Sequence, residues 1–182
     1  MLLTQAGIPF TVVASTGDEE TVVEGPPDQL ALGRATIKAL GAVLPSLADG
    51  WVLGADTVVA LGPEVFGKPL NDADGFRILQ RLQGTTHQVL TGHYLRRIGD
   101  GVAASGIAQV DVTMRPLSPA DIRAYLATGE HRGRAGAYAI QETGDRFVTA
   151  LHGPWDAVVG LHLDTVHQLL RQLGRCPRDF GR

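Results

Sequence analysis

Residues 51–61 read Trp-Val-Leu-Gly-Ala-Asp-Thr-Val-Val-Ala-Leu, a run of apolar and β-branched residues that contains one carboxylate, Asp56. A continuous apolar run of this kind predicts a β-strand that is covered on both faces. Asp is depleted in strands, and burying an unpaired carboxylate is costly. Two interpretations of Asp56 are open. It lies at a bulge or strand end where backbone N–H groups satisfy it, or it is a metal ligand or general base held by a rigid element.

A short turn follows this run and leads to a lysine. Gly62-Pro63-Glu64 predicts the turn, and the chain then returns to Gly67-Lys68-Pro69. Pro69 disfavours helical backbone at Lys68, so we expect the lysine on an extended segment. A carboxylate and an ammonium on the two arms could face one pocket, an arrangement that suits a phosphate ester or anhydride. The alternative is a surface hairpin with a solvated lysine.

The composition indicates one globular domain. The chain has 182 residues, of which 44% are hydrophobic and 19% charged, and its formal net charge is −3. No basic run stands out, which argues against a general nucleic-acid-binding surface. The single cysteine, Cys176, cannot form an internal disulfide and fits a reducing compartment. No apolar run reaches the length of a membrane helix and no signal peptide opens the chain, so we expect a cytoplasmic protein without a membrane partner.

The first fifty residues predict a strand, an acidic loop and a helix. Ile8–Ala14 alternates as a strand does, and carboxylates including Glu19 follow it. Ligands of α/β folds tend to sit at strand ends, so Glu19 could hold a metal or order water; the alternative is a solvated acidic loop. Asp28 is predicted to cap a helix that runs to about Val43. Arg34 and Lys38 share one face of this helix and point either at an anion or at solvent.

The remaining elements mix helices with hairpins. We expect a helix over Asp72–Gln83 that Asp72 caps, and a helix over Leu161–Leu173. A third helix is expected over Ser118–Gly129, with Ser118 as its cap, Pro119 at the first helical position and Asp121 in the first turn. We expect strands over Thr85–Gly92, Ile107–Arg115, Arg146–Leu151 and Ala157–Val159, and a frayed basic tail over 175–182. Together these patterns predict an α/β (or α+β) domain with a mixed sheet and flanking helices.

Five short motifs resemble one known family. They are Gly54-Ala55-Asp56-Thr57-Val58-Val59, Gly67-Lys68-Pro69, Gly84-x-Thr86-His87-x-Val89-x-Thr91-Gly92, Ala135-Gly136-Ala137-Tyr138-x-Ile140-Gln141 and Val158-Val159-Gly160-Leu161. In this order and spacing they are similar to the Maf proteins, nucleoside triphosphate pyrophosphatases that cleave a nucleotide between its α and β phosphates. The Ala-Asp-Thr and Ile-Gln sequences resemble the branch that acts on dTTP and UTP.

The resemblance implies a fold, a cofactor and partners. It spans residues 1–174 and implies the family's elongated α/β domain, with two lobes around a central cleft. It also implies a nucleoside triphosphate substrate, Mg²⁺ or Mn²⁺ as the cofactor, and a homodimer as a frequent assembly. A broader house-cleaning activity on modified nucleotides is a further alternative.

Carried over position by position, the resemblance assigns catalytic roles to four residues. Asp56 matches the family's proposed proton acceptor, and Glu19 matches the acid of its acidic loop. Lys38 matches the lysine of the following helix, and Lys68 the lysine before proline. Asp56 and Glu19 are the expected metal ligands. The two lysines would act as point charges on the phosphate chain.

Three further residues are expected to bind the substrate. Thr57 and Gln141 match positions linked to base choice, and Arg134 stands where the family has a lysine before Ala-Gly. The amide of Gln141 can pair with the O4 and N3–H edge of uracil or thymine. A base with a different edge would leave buried polar atoms unpaired.

The family's opening strand and its Ser-x-Ser-Pro-Arg-Arg sequence have no counterpart in this sequence, whose Met1–Gly7 aligns with the rest of the family's first helix. That turn would supply backbone N–H groups and arginines for phosphate. Two hypotheses follow. One is an active pyrophosphatase, within a longer protein or with a compensated site. The other is a Maf-like nucleotide-binding protein with little or no catalysis, which acts as a regulatory or interaction module.

Overall fold

The computed structural model describes residues 2–22, 24–44, 50–141 and 143–175. The predicted basic tail lies outside these residues, apart from Arg175, and Cys176 lies outside them as well. The helices are α1 (Leu2–Gln5), α2 (Pro27–Leu40), α3 (Asp72–Leu82), α4 (Pro119–Leu126), α5 (Trp155–Val158) and α6 (Leu163–Gln172). The strands are β1 (Trp51–Leu61), β2 (Glu64–Phe66), β3 (Thr86–Arg97), β4 (Ala103–Met114) and β5 (Val148–His152). Short 3₁₀ helices span Glu19–Thr21, Ala135–Ala137 and Thr143–Phe147.

The five strands form one antiparallel sheet in the order β2-β1-β3-β4-β5. Val59 pairs with Phe66 across β1 and β2, and Asp111 pairs with His152 across β4 and β5. The α/β fold with a sheet and flanking helices is therefore confirmed. The sheet is antiparallel and not mixed as the sequence predicted. β1 with β2 and β4 with β5 both pair antiparallel, and antiparallel neighbours do not need the helical crossover that parallel strands require.

The central run behaves as its composition predicts. β1 covers residues 51–61, and its buried positions alternate in the first half before becoming continuous over Val58, Val59 and Ala60. The predicted turn at Gly62 also forms, with a left-handed φ of 60° that favours glycine. β2 then returns antiparallel to β1, which confirms the predicted hairpin.

The prediction of a strand over Ile8–Ala14 is wrong. This segment has no strand assignment, and the neighbouring Ser15 forms an isolated bridge with Ala42. Apolar alternation failed as a guide here because the side chains are not buried on one face: Val12 is 74% exposed and Phe10 is 38% exposed. A run of alternating residues forms a strand only when a neighbouring strand completes its hydrogen bonds.

Two predicted caps and one further strand are also corrected. Pro26 rather than Asp28 is the N-cap of α2, since Pro27 takes the first helical position. Asn71 rather than Asp72 caps α3, and its side chain accepts a hydrogen bond from Asp74 N at 2.9 Å. The prediction of a strand over Ala157–Val159 is wrong, since these residues belong to α5 and its C-cap. A segment of three residues is too short for its hydrophobic pattern to distinguish a strand from a helix.

The described residues cluster into two compact units, and the long strands β1, β3 and β4 contribute residues to both. The first unit contains residues 2–56, 91–108 and 160–175, and the second contains residues 57–90 and 109–159, with the gaps given above. The first unit has a core in which Ile8 and Leu95 pack with Val166, Leu169 and Leu170 of α6. The second unit buries Tyr125 of α4, whose ring meets Phe147 edge-on with centroids 5.0 Å apart.

Among the described residues, no helix is both long enough and apolar enough to cross a bilayer.

Candidate functional site

Asp56 of β1 lies in the first unit and is 8% exposed. Its Oδ1 accepts a hydrogen bond from Lys38 Nζ at 2.6 Å. Its Oδ2 is buried and has no hydrogen-bond partner among the described residues. The carboxylate is therefore paired with a cation on one oxygen and unpaired on the other. Because a buried polar atom without a partner is costly, this unpaired oxygen is a candidate contact for a ligand or a water molecule.

The backbone of β1 explains why Lys38 reaches Asp56. Gly54 lies two residues before Asp56, on the same face of the strand. A Cβ atom at Gly54 would lie 2.2 Å from Ala35 O and 2.9 Å from Ala39 Cβ, so only glycine allows α2 to approach so closely. Ala35, Lys38 and Ala39 lie on neighbouring turns of α2. The close approach at Gly54 thus places the lysine side chain beside the carboxylate.

Glu19 is held against the same lysine from the other side. Its Oε2 lies 2.6 Å from Lys38 Nζ, and its side chain is about as exposed as that of the lysine. The segment before it lies along α2: Thr16 N donates to Gly41 O at 2.9 Å. A Cβ atom at Gly17 would lie 2.4 Å from Ile37 O. After Glu19, Arg34 Nε donates to Val22 O at 3.2 Å, so this arginine supports the loop rather than pointing at an anion.

The cluster Glu19–Lys38–Asp56 combines two carboxylates with one ammonium. If both acids are ionised, it carries one net negative charge, which attracts a further cation. Groups of three or more His, Cys, Asp or Glu side chains with metal-binding geometry are absent from the part of the chain that the structure describes. Two carboxylates are nevertheless sufficient for Mg²⁺, which usually keeps several waters and takes other ligands from substrate phosphates.

A half-open pocket of about 470 Å³ adjoins this cluster. One wall is formed by residues of the 13–19 segment, including Glu19, and another by residues 52–55 of β1; Lys38 and Ala42 complete the lining. All of these residues belong to the first unit. The pocket therefore combines the two charged side chains with small and apolar neighbours.

The other predicted site residues belong to the second unit. Thr57 is half-buried on β1, while Lys68, Arg134 and Gln141 are exposed. The lysine and arginine segments are joined through their backbones, since Gly136 N donates to Gly67 O at 3.1 Å. This hydrogen bond explains how two distant motifs of the sequence come to lie side by side. Within this unit it brings the segments of the two cations together.

Sequence reasoning gave no role to a buried polar pair in the second unit. His87 Nε2 and the Tyr138 hydroxyl are 2.9 Å apart, and the two rings meet edge-on. Burial lowers the pKa of His87 from 6.5 to about 4 and raises the pKa of Tyr138. The preceding Ala137 is buried with a left-handed φ of 58°, a strained value for a residue with a side chain. His87 and Tyr138 both belong to the sequence motifs quoted above, but the spacing of those motifs does not show that the two side chains are in contact.

Comparison with known proteins identifies the same family that the five motifs resemble. The family described as Maf-like protein matches residues 1–173. A dTTP/UTP pyrophosphatase of Hydrogenovibrio crunogenus is 37% identical over 173 residues, which cover 94% of this chain and 88% of that protein. A dTTP/UTP pyrophosphatase of Moorella thermoacetica is 41% identical, and the match covers 95% of this chain and 89% of that protein. A dTTP/UTP pyrophosphatase of Pseudoalteromonas atlantica is 40% identical, and the match covers 94% of this chain and 90% of that protein.

Proposed function

The chain belongs to the Maf family, and we propose that it is a nucleoside triphosphate pyrophosphatase that hydrolyses dTTP and UTP to the monophosphate and pyrophosphate. Relatives with that printed name, 37–41% identical over most of the chain, support this substrate choice. The cluster Glu19–Lys38–Asp56 beside an open pocket supports the hydrolytic chemistry.

The observation that carries the proposal is the asymmetric environment of Asp56. One oxygen is fixed by Lys38, and the other is buried without a partner among the described residues. The fixed oxygen holds the carboxylate in one orientation. The other oxygen can then accept a proton from a water molecule, as a general base requires. A solvated surface carboxylate would lack this preorganisation.

In the reaction that we propose, water oxygen forms a bond to the α-phosphorus while the bond from that phosphorus to the bridging oxygen of pyrophosphate breaks. Asp56 accepts the proton of the attacking water, and the electron pair of the broken bond leaves with pyrophosphate. The nucleoside monophosphate keeps the new oxygen. Lys38 counters the negative charge that builds up on the phosphate oxygens.

Mg²⁺ or Mn²⁺ is the cofactor that we propose. Glu19 fits such an ion, because carboxylate oxygens are its preferred protein ligands. Asp56 Oδ2, which has no hydrogen-bond partner among the described residues, would either hold the same ion or serve as the base. When bound, the ion would supply positive charge to the phosphate oxygens. Lys38 Nζ lies 2.6 Å from an oxygen of each acid. The ammonium thus offsets one of the two negative charges, and a further cation would offset the other.

We assign substrate-binding roles to residues of the second unit as part of the same proposal. Lys68 and Arg134 would bind phosphate oxygens, and Thr57 and Gln141 would select the base. The exposed amide of Gln141 offers one acceptor and two donors, enough for the O4 and N3–H groups of uracil or thymine. One domain over residues 1–174, a homodimer, a cytoplasmic location and activity on modified nucleotides all stay predictions.

The test is hydrolysis of dTTP and UTP with Mg²⁺ in water labelled with ¹⁸O. We expect pyrophosphate as the product and one ¹⁸O atom in the monophosphate, because attack at the α-phosphorus transfers the water oxygen there. Mass spectrometry of both products measures this. Label in the pyrophosphate, or release of orthophosphate, contradicts the proposal. Tight binding of dTTP without any product favours the nucleotide-binding alternative instead.

A further inference from the structure

The segment that carries Gln141 folds back on itself in the second unit. Gly144 packs directly on Ala139, since a Cβ atom at Gly144 would lie 2.6 Å from Ala139 O and 3.1 Å from Ala139 N. Ala139 and Gly144 are both buried, whereas Gln141 between them is exposed. Ala139 and Gly144 are therefore in contact, and the exposed Gln141 lies between them in the sequence.

A buried hydroxyl anchors the first end of this loop. Ala139 N donates a hydrogen bond to the Tyr125 hydroxyl at 2.9 Å. Tyr125 is fully buried on α4, and its ring packs edge-on against Phe147. The hydroxyl thus sits at a fixed point of the core. Since a buried N–H group without an acceptor is costly, this bond holds the backbone at Ala139 in place.

A carboxylate anchors the second end. Glu130 Oε2 accepts hydrogen bonds from Thr143 N at 3.0 Å and from Thr143 Oγ1 at 2.6 Å. Both bonds are charge-assisted when Glu130 is ionised, which makes them stronger than bonds between neutral groups. Thr143 opens the 3₁₀ helix that continues to Phe147, so the acid also caps that helix.

We propose that Tyr125 and Glu130 are positioning residues that hold Gln141 for recognition of uracil and thymine. This inference rests on the proposed function, which makes Gln141 the residue that reads the base. A side chain that must meet one acceptor and one donor of a base tolerates little displacement of its backbone. The two anchors flank Gln141 and both come from α4 or the turn that follows it. They would fix the distance of the amide from the base without touching the substrate.

The experiment compares the affinities of α,β-methylene-UTP and α,β-methylene-CTP in the presence of Mg²⁺. These analogues resist cleavage, so calorimetry measures binding alone. We expect the wild-type protein to prefer the UTP analogue. Glu130→Ala should lower this preference about tenfold, the size of one well-placed hydrogen bond. Glu130→Gln keeps an acceptor for Thr143 and should restore most of the preference. Tyr125→Phe keeps the ring but removes the hydroxyl, and it should also lower the preference for the UTP analogue.

The matched control is Glu64→Ala. Glu64 is another acid of the second unit, and it pairs with Arg81 at the surface. This variant should leave the preference for the UTP analogue unchanged. The inference is overturned if Glu130→Ala and Tyr125→Phe keep the wild-type ratio of affinities while remaining folded. It is also overturned if the wild-type protein shows no preference. Failure to release pyrophosphate from UTP, with these ratios as expected, would refute the proposed hydrolysis but not the positioning.

Discussion

At the scale of single residues, His87 shows how burial alone sets a chemical property. The side chain is 1% exposed and meets the Tyr138 hydroxyl through Nε2. Desolvation disfavours its charged form, so the pKa falls to about 4. The ring is then neutral across the physiological range, and Tyr138 with its raised pKa is neutral too. The pair is a neutral hydrogen bond in the interior rather than an ion pair.

This depressed pKa predicts acid destabilisation. Above pH 6.5 the ring is neutral in both the folded and the unfolded chain, so it adds no pH dependence. Between pH 6.5 and about 4 the unfolded chain binds a proton that the folded chain does not, and the free energy of unfolding falls as the pH falls. The total loss is about 3 kcal/mol. Urea denaturation of the wild type and of His87→Gln from pH 4.5 to 7.5 measures it. In His87→Gln, the free energy of unfolding should fall less steeply as the pH is lowered. The same pH dependence in both proteins would contradict the lowered pKa of His87.

Asp56 shows what residue-scale reasoning from the sequence could achieve. The apolar run around it predicted both the strand and an unusual carboxylate, and the structure has both. Its partner Lys38 is 18 positions away on another element. Periodicity cannot predict such a contact, because it depends on how closely a helix approaches a strand. The family resemblance pointed to both residues, but only the structure shows that they are hydrogen-bonded.

At the scale of elements, the packing of α2 on β1 determines the geometry of the cluster. Gly54 permits the approach, and the small side chains of Ala35 and Ala39 line the helix side of the contact. A second close approach occurs at Gly92 of β3, where a Cβ atom would lie 2.5 Å from Ala31 O. The helix is thus fixed on two neighbouring strands through backbone contacts. We conclude that these glycines serve packing rather than flexibility.

Gly54→Ala should therefore destabilise the protein. The added methyl group overlaps Ala35 O, and α2 must shift outward at a cost of about 2 kcal/mol. Chemical denaturation followed by circular dichroism measures the change. Gly67→Ala is the matched control, since a Cβ atom at Gly67 has no atom within 4 Å. We expect the control to stay within about 0.5 kcal/mol of the wild type. Equal stability of the two variants would contradict the packing argument.

Elements with strong local signals were predicted well. The capping box of α4 is an example: Ser118 Oγ accepts from Asp121 N, and the Asp121 carboxylate accepts from Ser118 N. β1 and the β1–β2 hairpin also follow from their residues. The prediction of a strand over Ile8–Ala14 was wrong because a strand needs a second segment to pair with. The alternation of apolar and polar residues in one segment does not show whether such a partner is present. Ala157–Val159 was mispredicted because Pro154 starts a helical turn that apolar content does not reveal.

At the scale of the whole molecule, the α/β class followed from the mixture of helical and strand patterns, whereas the antiparallel direction of the sheet as a whole did not. Motifs spread from residue 54 to residue 161 identified the family, and the match over residues 1–173 agrees with them. The chain's net charge of −3 leaves substrate binding to local groups. Lys38, Lys68 and Arg134 are the cations that we propose for this task.

The most direct measurement of the central claim is the rate of pyrophosphate release from dTTP by Asp56→Asn. The substitution keeps the shape of the side chain but removes the base, so turnover should fall at least ~100-fold, the lower range for a general base. Asp100→Asn, at an exposed hairpin acid that pairs with Arg97, should keep the wild-type rate. Circular dichroism should show both variants folded. A folded Asp56→Asn variant that releases pyrophosphate as fast as the wild type would contradict the account.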